Sequence, residues 1–254
     1  MPIALTREVS PAIVRCELTY LKREPIDVEL AVEQHRAYEA RLVELGCRVQ
    51  RLPAEPDLAD SVFVEDSAVV LPELAVIARP GAASREAEIR SAADALRPYR
   101  SLASINGPAS LDGGDVLVVG RRVYVGESGR TNSQAVAQLR LLLSPHGYEV
   151  LAVPVRGCLH LKTAATLVAE RTLLLNPDWV DPAVFSGLRR IEVDPEEPFA
   201  GNALLVRRSV VYPTENRVTA RKLERAGIEV CRVPFSELAK AEAGVTCCSV
   251  IFEP

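Results

Sequence analysis

A near-constant interval between polar residues is the feature that most restricts how this chain can fold. Each of these residues precedes an apolar run that predicts a strand, followed by a turn, a second strand and usually a helix. The residues are Asp66, Asp112, His160, Asn202 and Cys247, and subtraction gives separations of 46, 48, 42 and 45. A period of this length is typical of repeat architectures.

The way in which the repeat ends indicates a closed ring. An open stack of repeats needs polar capping units at its ends, and the sequence has none. The fifth copy has only one predicted strand, whereas residues 3–7 predict a strand without a partner. Pairing the two gives a five-unit α/β propeller, one domain over 1–254, with the polar residues converging on its axis. The alternative is that the spacing reflects ordinary alternation of strand pairs and helices.

The N-terminal segment predicts one long helix outside this pattern. Asp27 is a typical N-cap and Gly46 a typical end, and apolar residues recur between them at steps of three and four. His35 lies on this apolar stripe, which favours a packing or capping role over a catalytic one. Residues 47–52 predict a strand after the helix.

Composition excludes several classes of function. The 254 residues are 48% hydrophobic and carry a net charge of −4 with acids and bases intermixed, so no basic patch indicates nucleic-acid binding. No apolar run reaches the roughly 18 residues of a membrane helix, and the N-terminus does not resemble a signal peptide. The six cysteines lack the CxxC spacing of a structural zinc site. We therefore expect reduced thiols and a cytoplasmic location.

The segment 243–252 carries two adjacent cysteines at the start of a β-branched run. Neighbouring side chains of a strand point to opposite faces, so Cys247 and Cys248 are expected to have different roles. We expect Cys247 to be a nucleophile, His160 to move protons and Asp112 to orient His160. Taken singly, each residue also fits a structural role: a buried thiol, a hydrogen-bonded histidine and a turn aspartate.

Two charged groups suggest the kind of substrate. Asp60, Glu65 and Asp66 flank an apolar segment, and paired carboxylates suit a planar guanidinium. Arg85 and Arg130 occupy equivalent places at the starts of two predicted helices, where they could bind a carboxylate. The alternatives are a solvated acidic loop and ordinary surface arginines. Together the two groups predict a ligand with a cationic planar end and an anionic end, such as arginine or a derivative.

The motifs resemble those of the dimethylarginine dimethylaminohydrolase family, within the guanidino-group-modifying enzymes. They run in one order along the chain: VEQH (32–35), DSVFVED (60–66), RPGAASR (79–85), LDGGDVLVVG (111–120), GESGRTN (126–132), LHLKT (159–163), GN (201–202) and GVTCCSV (244–250). The resemblance implies the five-fold pseudosymmetric α/β propeller called a pentein. It also implies hydrolysis of Nω-methylated arginines to citrulline and methylamines.

The same resemblance implies roles for individual residues. Cys247 would attack the guanidinium carbon to give a covalent thiouronium intermediate, His160 would protonate the departing amine and then activate water, and Asp112 would orient His160. Asp66 and Asp60 would contact the cationic end of the substrate, together with Glu65, which would act through its neighbours. Arg85 and Arg130 would bind the carboxylate of the substrate. Leu18 matches a leucine that closes over the substrate. Ala241 falls where the family usually has a larger aliphatic residue, which bears on alkyl-group preference.

No cofactor or metal is implied, although zinc could bind the cysteine, histidine and acid cluster as an inhibitor. The expected partner is a small molecule, and a homodimer is one candidate for the oligomeric state. An arginine deiminase or an amidinotransferase of the same superfamily is the nearest alternative, although deiminases are usually much longer. A catalytically silent binder of arginine derivatives, or a zinc-holding propeller, is the alternative from another class.

Overall fold

Five sheets of three strands each form the framework of the protein, as a computed structural model that describes residues 1–254 shows. In every sheet the inner strand pairs antiparallel with the middle strand, and the middle strand pairs parallel with the outer strand. The same pattern five times over agrees with the predicted five-fold pseudosymmetry. The sheets, each given from inner to outer strand, are β15 (Val250–Phe252), β1 (Ile3–Arg7), β2 (Arg48–Leu52); β3 (Ala68–Val70), β4 (Leu74–Ile77), β5 (Ser101–Ser104); β6 (Val116–Val119), β7 (Arg122–Glu127), β8 (Glu149–Pro154); β9 (Ala165–Ala169), β10 (Thr172–Leu175), β11 (Arg189–Glu192); and β12 (Leu204–Val206), β13 (Ser209–Pro213), β14 (Glu229–Val233).

The first strand closes the ring as predicted. Ile3 pairs with Phe252 and Leu5 with Val250, so β1 supplies the middle strand that the fifth repeat lacks. On its other edge β1 pairs with β2, which follows the long helix. The sheet next to Cys247 therefore combines both ends of the chain.

Helical segments connect the middle and outer strands, because parallel neighbours need a crossover. The predicted long helix is α1, and the Asp27 carboxylate accepts the N–H of Leu30, confirming the N-cap. A 3-10 helix over Ala83–Glu88 precedes α2. Between β10 and β11 a 3-10 helix over Pro182–Phe185 takes the place of an α-helix. The helices are α1 (Val28–Glu44), α2 (Ile89–Leu96), α3 (Ser133–Leu143), α4 (Leu161–Ala164), α5 (Arg217–Arg225) and α6 (Ser236–Ala239).

The helix α3 begins one residue later than a sequence motif suggests. Thr131 and Gln134 have the spacing of a capping box, but Asn132 is the N-cap and its side chain accepts the N–H of Ala135. The Thr131 hydroxyl instead accepts the backbone N–H of Asp112 at 3.1 Å. Thr131 therefore fixes a candidate site residue, which explains why the capping function lies one residue later.

The inner strands begin later than predicted. A helical turn precedes the inner strand in three repeats: Val64–Ser67 before β3, Gly113–Asp115 before β6 and α4 before β9. Asp66 lies within the first of these turns, whereas Asp112 and His160 directly precede the other two. Cys247 and Cys248 also lie in a turn, before β15. The prediction that they occupy a strand is therefore wrong, and the polar residues project from turns above the strand ends.

The core surrounds the ring in several hydrophobic clusters that join neighbouring sheets. One cluster contains Cys248 and Tyr38 of α1, and another joins β6 to β10 through Leu117 and Leu173. The inner strands also line an axial cavity of about 320 Å³. No helix combines the length and the apolar character that crossing a membrane would require.

Candidate active site

A narrow cavity at the polar ends of the inner strands brings together most of the predicted site residues. Its volume is about 20 Å³, room for about one water molecule. The lining residues are Glu17, Asp60, Phe63, Asp66, Arg85, Arg130, Leu159, His160, Ala241, Glu242, Ala243 and Cys247. Of the predicted site residues, only Leu18, Glu65 and Asp112 do not line it.

His160 is the centre of the charge network beneath this cavity. Its Nε2 lies 3.0 Å from Asp112 Oδ2, and its Nδ1 lies 3.9 Å from Asp66 Oδ1 and has no hydrogen bond. Burial alone would lower the pKa of His160, but the charges of Asp66, Asp115 and Asp112 and the hydrogen bond that His160 donates to Asp112 raise it to about 9. His160 is therefore protonated at neutral pH, and its Nδ1–H has no hydrogen-bond acceptor.

The local backbone fixes both partners of this pair. Asp112 is fully buried, and its Oδ1 accepts the N–H of Gly81 at 2.9 Å while Oδ2 faces His160. Gly114 lets the chain pass close to the imidazole, because a Cβ there would lie 2.6 Å from His160 Nδ1. The bonds of Asp112 therefore leave its second oxygen free to orient the imidazole.

Asp115 is a buried residue of the site that sequence reasoning missed. Its Oδ1 accepts the N–H of Leu161 at 2.8 Å, at the start of α4 directly after His160. Burial raises the pKa of Asp115 to about 6, against the opposing effects of His160 and Ser128. Asp115 is the second acid of the DGGD segment (112–115), which could have indicated a site residue, but an aspartate in this sequence is equally typical of a turn.

Cys247 is partly exposed to the cavity, whereas Cys248 is fully buried in the hydrophobic core. The different placement of the two cysteines was predicted correctly, although a turn rather than a strand produces it. Cys247 Sγ accepts the N–H of Gly244 at 3.3 Å. Burial and the carboxylates of Glu65 and Asp66 raise the pKa of Cys247 well above its usual value, so the thiol is protonated in the free protein.

Arg85 is buried in an ion cluster. Its Nη1 lies 2.5 Å from Asp66 Oδ2, its Nη2 lies 2.8 Å from Glu88, and Nη2 also donates to the carbonyls of Asp60 and Phe63. Despite burial, the cations Arg85 and His160 hold the pKa of Asp66 below its usual value. Arg85 thus fixes the acidic loop, and Glu88, its second partner, was missed because the sequence gives no sign that it is buried.

Glu65 lies behind the cavity rather than in it. Its carboxylate binds Lys162 Nζ at 2.7 Å and the Thr246 hydroxyl at 2.6 Å, and its backbone N–H donates to the Cys247 carbonyl at 3.1 Å. Asn202, the remaining leading residue of the repeat, also bonds Thr246 and the carbonyl of Lys162. Together these contacts fix the turn that carries Cys247, and Lys162 was missed although it lies in the LHLKT motif.

The loop around Leu18 covers the cavity. Asp60 Oδ2 accepts the N–H of Glu17 at 3.1 Å, and Arg130 Nη2 donates to the Thr19 hydroxyl at 3.3 Å. Leu18 is half-buried and packs against the hydrophobic cluster beside Cys247 and Cys248. In this state Asp60 and Arg130 therefore bind the protein's own loop.

Asp66, Asp112 and His160 are the residues that could hold a metal ion. One ligand atom from each lies within 4.8 Å of the others, and all three side chains are buried. The set is two oxygens and one nitrogen, and Cys247 is not part of it. The predicted zinc cluster of cysteine, histidine and acid is thus not the grouping that the geometry brings together.

Comparisons with known proteins agree with this arrangement. No protein-family model matches the chain. The chain is 39% identical to N(G),N(G)-dimethylarginine dimethylaminohydrolase of Streptomyces coelicolor over 97% of this chain and 95% of the relative. It superposes with a TM-score of 0.94, at 31% identity and 98% coverage of both chains, on a cysteine-to-serine mutant of that enzyme from Pseudomonas aeruginosa in complex with citrulline.

A more distant neighbour shows how widely the fold is used. The N-terminal domain of a cyanobacterial arginine dihydrolase, bound to its substrate, matches with a TM-score of 0.89 at 20% identity, over 99% of this chain and 98% of that one. At this identity the match concerns the fold alone. The identity and coverage of the first two relatives do more: this chain belongs to the dimethylarginine dimethylaminohydrolase family.

Proposed function

We propose that this chain hydrolyses Nω-methylated L-arginine to L-citrulline and a methylamine, by covalent catalysis through Cys247. The observation that carries the proposal is one cavity bordered by a thiol, a protonated histidine and a buried carboxylate, in a chain of this family. The relatives named for this activity, one of them with citrulline bound, support the same reaction.

The first half of the reaction begins when the substrate binds as a cation. Its guanidinium faces Asp66 and offsets the negative charge that raises the pKa of Cys247, which makes the thiolate accessible. The Cys247 thiol releases its proton to water, and the resulting thiolate forms a bond to the guanidinium carbon. The carbon–nitrogen bond to the methylated amine then breaks, and the amine leaves with the proton of His160 Nδ1, the ring nitrogen that has no hydrogen bond.

The second half of the reaction uses His160 in the opposite direction. Neutral His160 takes a proton from water, whose oxygen bonds to the carbon of the thiouronium intermediate. The carbon–sulfur bond breaks, citrulline forms and the thiol is regenerated. Asp112 holds Nε2 throughout, so that Nδ1 serves as acid and then as base.

The proposed contacts of the amino-acid end are at the cavity entrance. Arg130 is half-buried and donates only to the Thr19 hydroxyl, so its guanidinium is available to a carboxylate. Arg85 lines the cavity but already pairs with Asp66 and Glu88, so we propose that it acts mainly by fixing Asp66. Asp60 contributes a second negative charge. Ala241 leaves more room beside the substrate than a larger aliphatic residue would.

Three further predictions concern the whole chain. The six cysteines are all free thiols, which supports a reducing compartment such as the cytoplasm. Pairing of β1 with β15 supports a single catalytic domain over residues 1–254. A homodimer is a prediction that sedimentation or size-exclusion chromatography checks.

The decisive experiment measures citrulline release from asymmetric dimethylarginine and from arginine, side by side. We expect turnover of the methylated substrate, weak turnover of arginine and none by Cys247→Ser. Cys248→Ser is the matched control: it perturbs packing but retains turnover, because Cys248 faces the core. Preference for arginine would indicate a deiminase, and no citrulline from either substrate would overturn the proposal. Full turnover by Cys247→Ser would reject the nucleophile.

A further inference from the structure

The loop over the cavity is attached at one point by an unusual set of hydrogen bonds. The consecutive backbone N–H groups of Thr19, Tyr20 and Leu21 all donate to the carboxylate of Glu242, with Thr19 N at 2.9 and 3.0 Å from its two oxygens. Hydrogen bonds to an ionised acceptor are stronger than neutral ones. Glu242 therefore holds the loop directly through the loop's backbone. Arg130 also contacts this segment, but only through the Thr19 hydroxyl.

The backbone of Glu242 adopts a conformation that side chains disfavour. Its φ is +57°, in the left-handed region, and Arg207 is the other non-glycine residue with positive φ. A glycine would adopt this conformation without strain, whereas a residue with a Cβ is strained there. Glutamate differs from glycine here by its carboxylate, and that carboxylate accepts the three hydrogen bonds from the loop.

Glu242 stands between two cavities. With Ala243 it lines both the active-site cavity and a side cavity of about 190 Å³, and Leu21 of the loop lines the side cavity. Glu17, at the other end of the loop, lines the active-site cavity. The loop and Glu242 thus form the partition between a space large enough for a small organic molecule and the site of chemistry.

The size of the active-site cavity requires this partition to move. About 20 Å³ accommodates roughly one water molecule and not an arginine derivative. The loop also occupies Asp60, through the N–H of Glu17, and Arg130, through the Thr19 hydroxyl. Substrate entry therefore displaces the loop from these two residues, while the bonds to Glu242 determine how readily the loop opens and how firmly it closes again.

We propose that Glu242 is a positioning residue whose carboxylate latches the loop of Glu17–Leu21 over the active site, so that loss of the carboxylate leaves the loop open and weakens substrate capture. The proposal rests on the proposed function for the identity of the substrate, but the latch itself is a property of the free protein. Glu242 acts through the loop and through no reacting atom.

Limited proteolysis tests the latch without any turnover. Lys22 and Arg23 directly follow the latched residues and are exposed, so trypsin reports loop opening. In Glu242→Gly we expect cleavage there to be at least roughly tenfold faster than in wild type, the effect of losing one charge-assisted hydrogen bond. Citrulline at saturating concentration should slow cleavage in wild type more than in the variant. Cleavage of Glu242→Gly at the wild-type rate would overturn the proposal.

Two further variants separate the latch from backbone strain and from misfolding. Arg207→Gly relieves the same φ in the hairpin between β12 and β13, and its loop cleavage should match wild type. Glu242→Gln keeps the shape and removes the charge, and we expect an intermediate cleavage rate with an unchanged melting temperature. If Glu242→Gln and Arg207→Gly behave alike, the carboxylate is not the latch.

Kinetics provide the second readout. For Glu242→Gln we expect KM to rise by roughly tenfold with kcat within about threefold of wild type, because closure precedes the chemical steps. A fall in kcat at constant KM would contradict a positioning role. If no variant, wild type included, released citrulline, the proposed function would fail, whereas the cleavage difference would still decide the latch.

Discussion

The protein contains two buried histidines beside carboxylates, and their surroundings have opposite effects. His160 and His35 are both 3% exposed. The pKa of His160 is raised to about 9, whereas burial lowers the pKa of His35 to about 4. Burial and a neighbouring acid are therefore not sufficient to make a histidine an acid catalyst.

The difference arises from the number and placement of charged neighbours. Asp66, Asp112 and Asp115 all favour the charged form of His160, and Asp112 contacts it within 3.0 Å. His35 has one acid within 4 Å, Glu39 at 3.8 Å, and Glu39 is already bound by Arg51 and the Thr6 hydroxyl. His35 Nε2 is buried without a hydrogen-bond partner. A neutral His35 is thus a packing residue of α1, in line with its place on the apolar stripe.

Substituting each histidine by asparagine gives the largest expected contrast. His160→Asn should lower citrulline release by about a hundred- to ten-thousandfold, the usual range for losing a general acid and base. His35→Asn should keep turnover close to wild type in the folded fraction, because its ring does not line the active-site cavity. Initial rates normalised to folded protein by circular dichroism check both. Equal losses of turnover in the two variants would contradict the different roles assigned to the two histidines.

The two histidines should contribute slopes of opposite sign to the pH dependence of stability. Between pH 6.5 and about 9 folded His160 binds a proton that the unfolded chain releases, so its stabilisation is complete below pH 6.5 and is lost as pH rises to 9. Between pH 6.5 and about 4 unfolded His35 binds a proton that the folded chain does not, so the contribution of His35 to stability falls as pH drops, against the opposite contribution of Asp115. At about 1.4 kcal/mol per pKa unit, each effect is of the order of 3 kcal/mol.

Denaturant unfolding across pH 4–9 measures these slopes. The alkaline slope should diminish in His160→Asn and the acidic slope in His35→Asn, each with the other slope retained. An alkaline slope that survives in His160→Asn would place its origin in another group.

Substitutions of the neighbouring acids should give the smallest effects, and they identify which carboxylate keeps His160 protonated. Asp112→Asn removes a charge that favours protonated His160, so the alkaline limit of the activity profile should move to lower pH, with turnover at pH 7 reduced by about tenfold or more. Glu39→Gln is the matched control beside His35 and should leave the activity profile unchanged. A pH–rate series for both variants checks this prediction. An unshifted profile in Asp112→Asn would indicate that Asp66 and Asp115 hold the proton on His160 without Asp112.

The sequence predicted the ring well because the ring depends on local patterns. Buried inner and middle strands such as β6 and β10 are nearly continuous apolar runs, and these recur at the repeat interval. The outer strands after the helices were missed apart from β2. β5 and β11 are half-exposed and mix polar with apolar residues, as in Arg189–Glu192, so their pairing depends on the neighbouring strand rather than on their own pattern.

The site was predicted less completely because its electrostatics depend on three-dimensional contacts. The repeat interval indicated that Asp112, His160 and Cys247 lie near one axis, and the structure places them around one cavity or directly beneath it. No local pattern distinguishes a surface arginine from Arg85, whose burial requires Asp66 and Glu88 at once. The partners Glu88, Asp115 and Lys162 were missed for the same reason.

The strand β1 delays completion of one sheet during synthesis of the chain. Its pairing of Ile3 with Phe252 joins residues almost the full chain length apart, and such distant contacts form late and slowly. The turn that carries Cys247 lies directly before β15, which follows the other fourteen strands along the chain. A nascent chain can therefore build the sheets around His160 and its acids long before the thiol arrives beside them. Because Cys247 is the proposed nucleophile, we expect activity only once this sheet is complete, and chains clipped before Cys247 should release no citrulline.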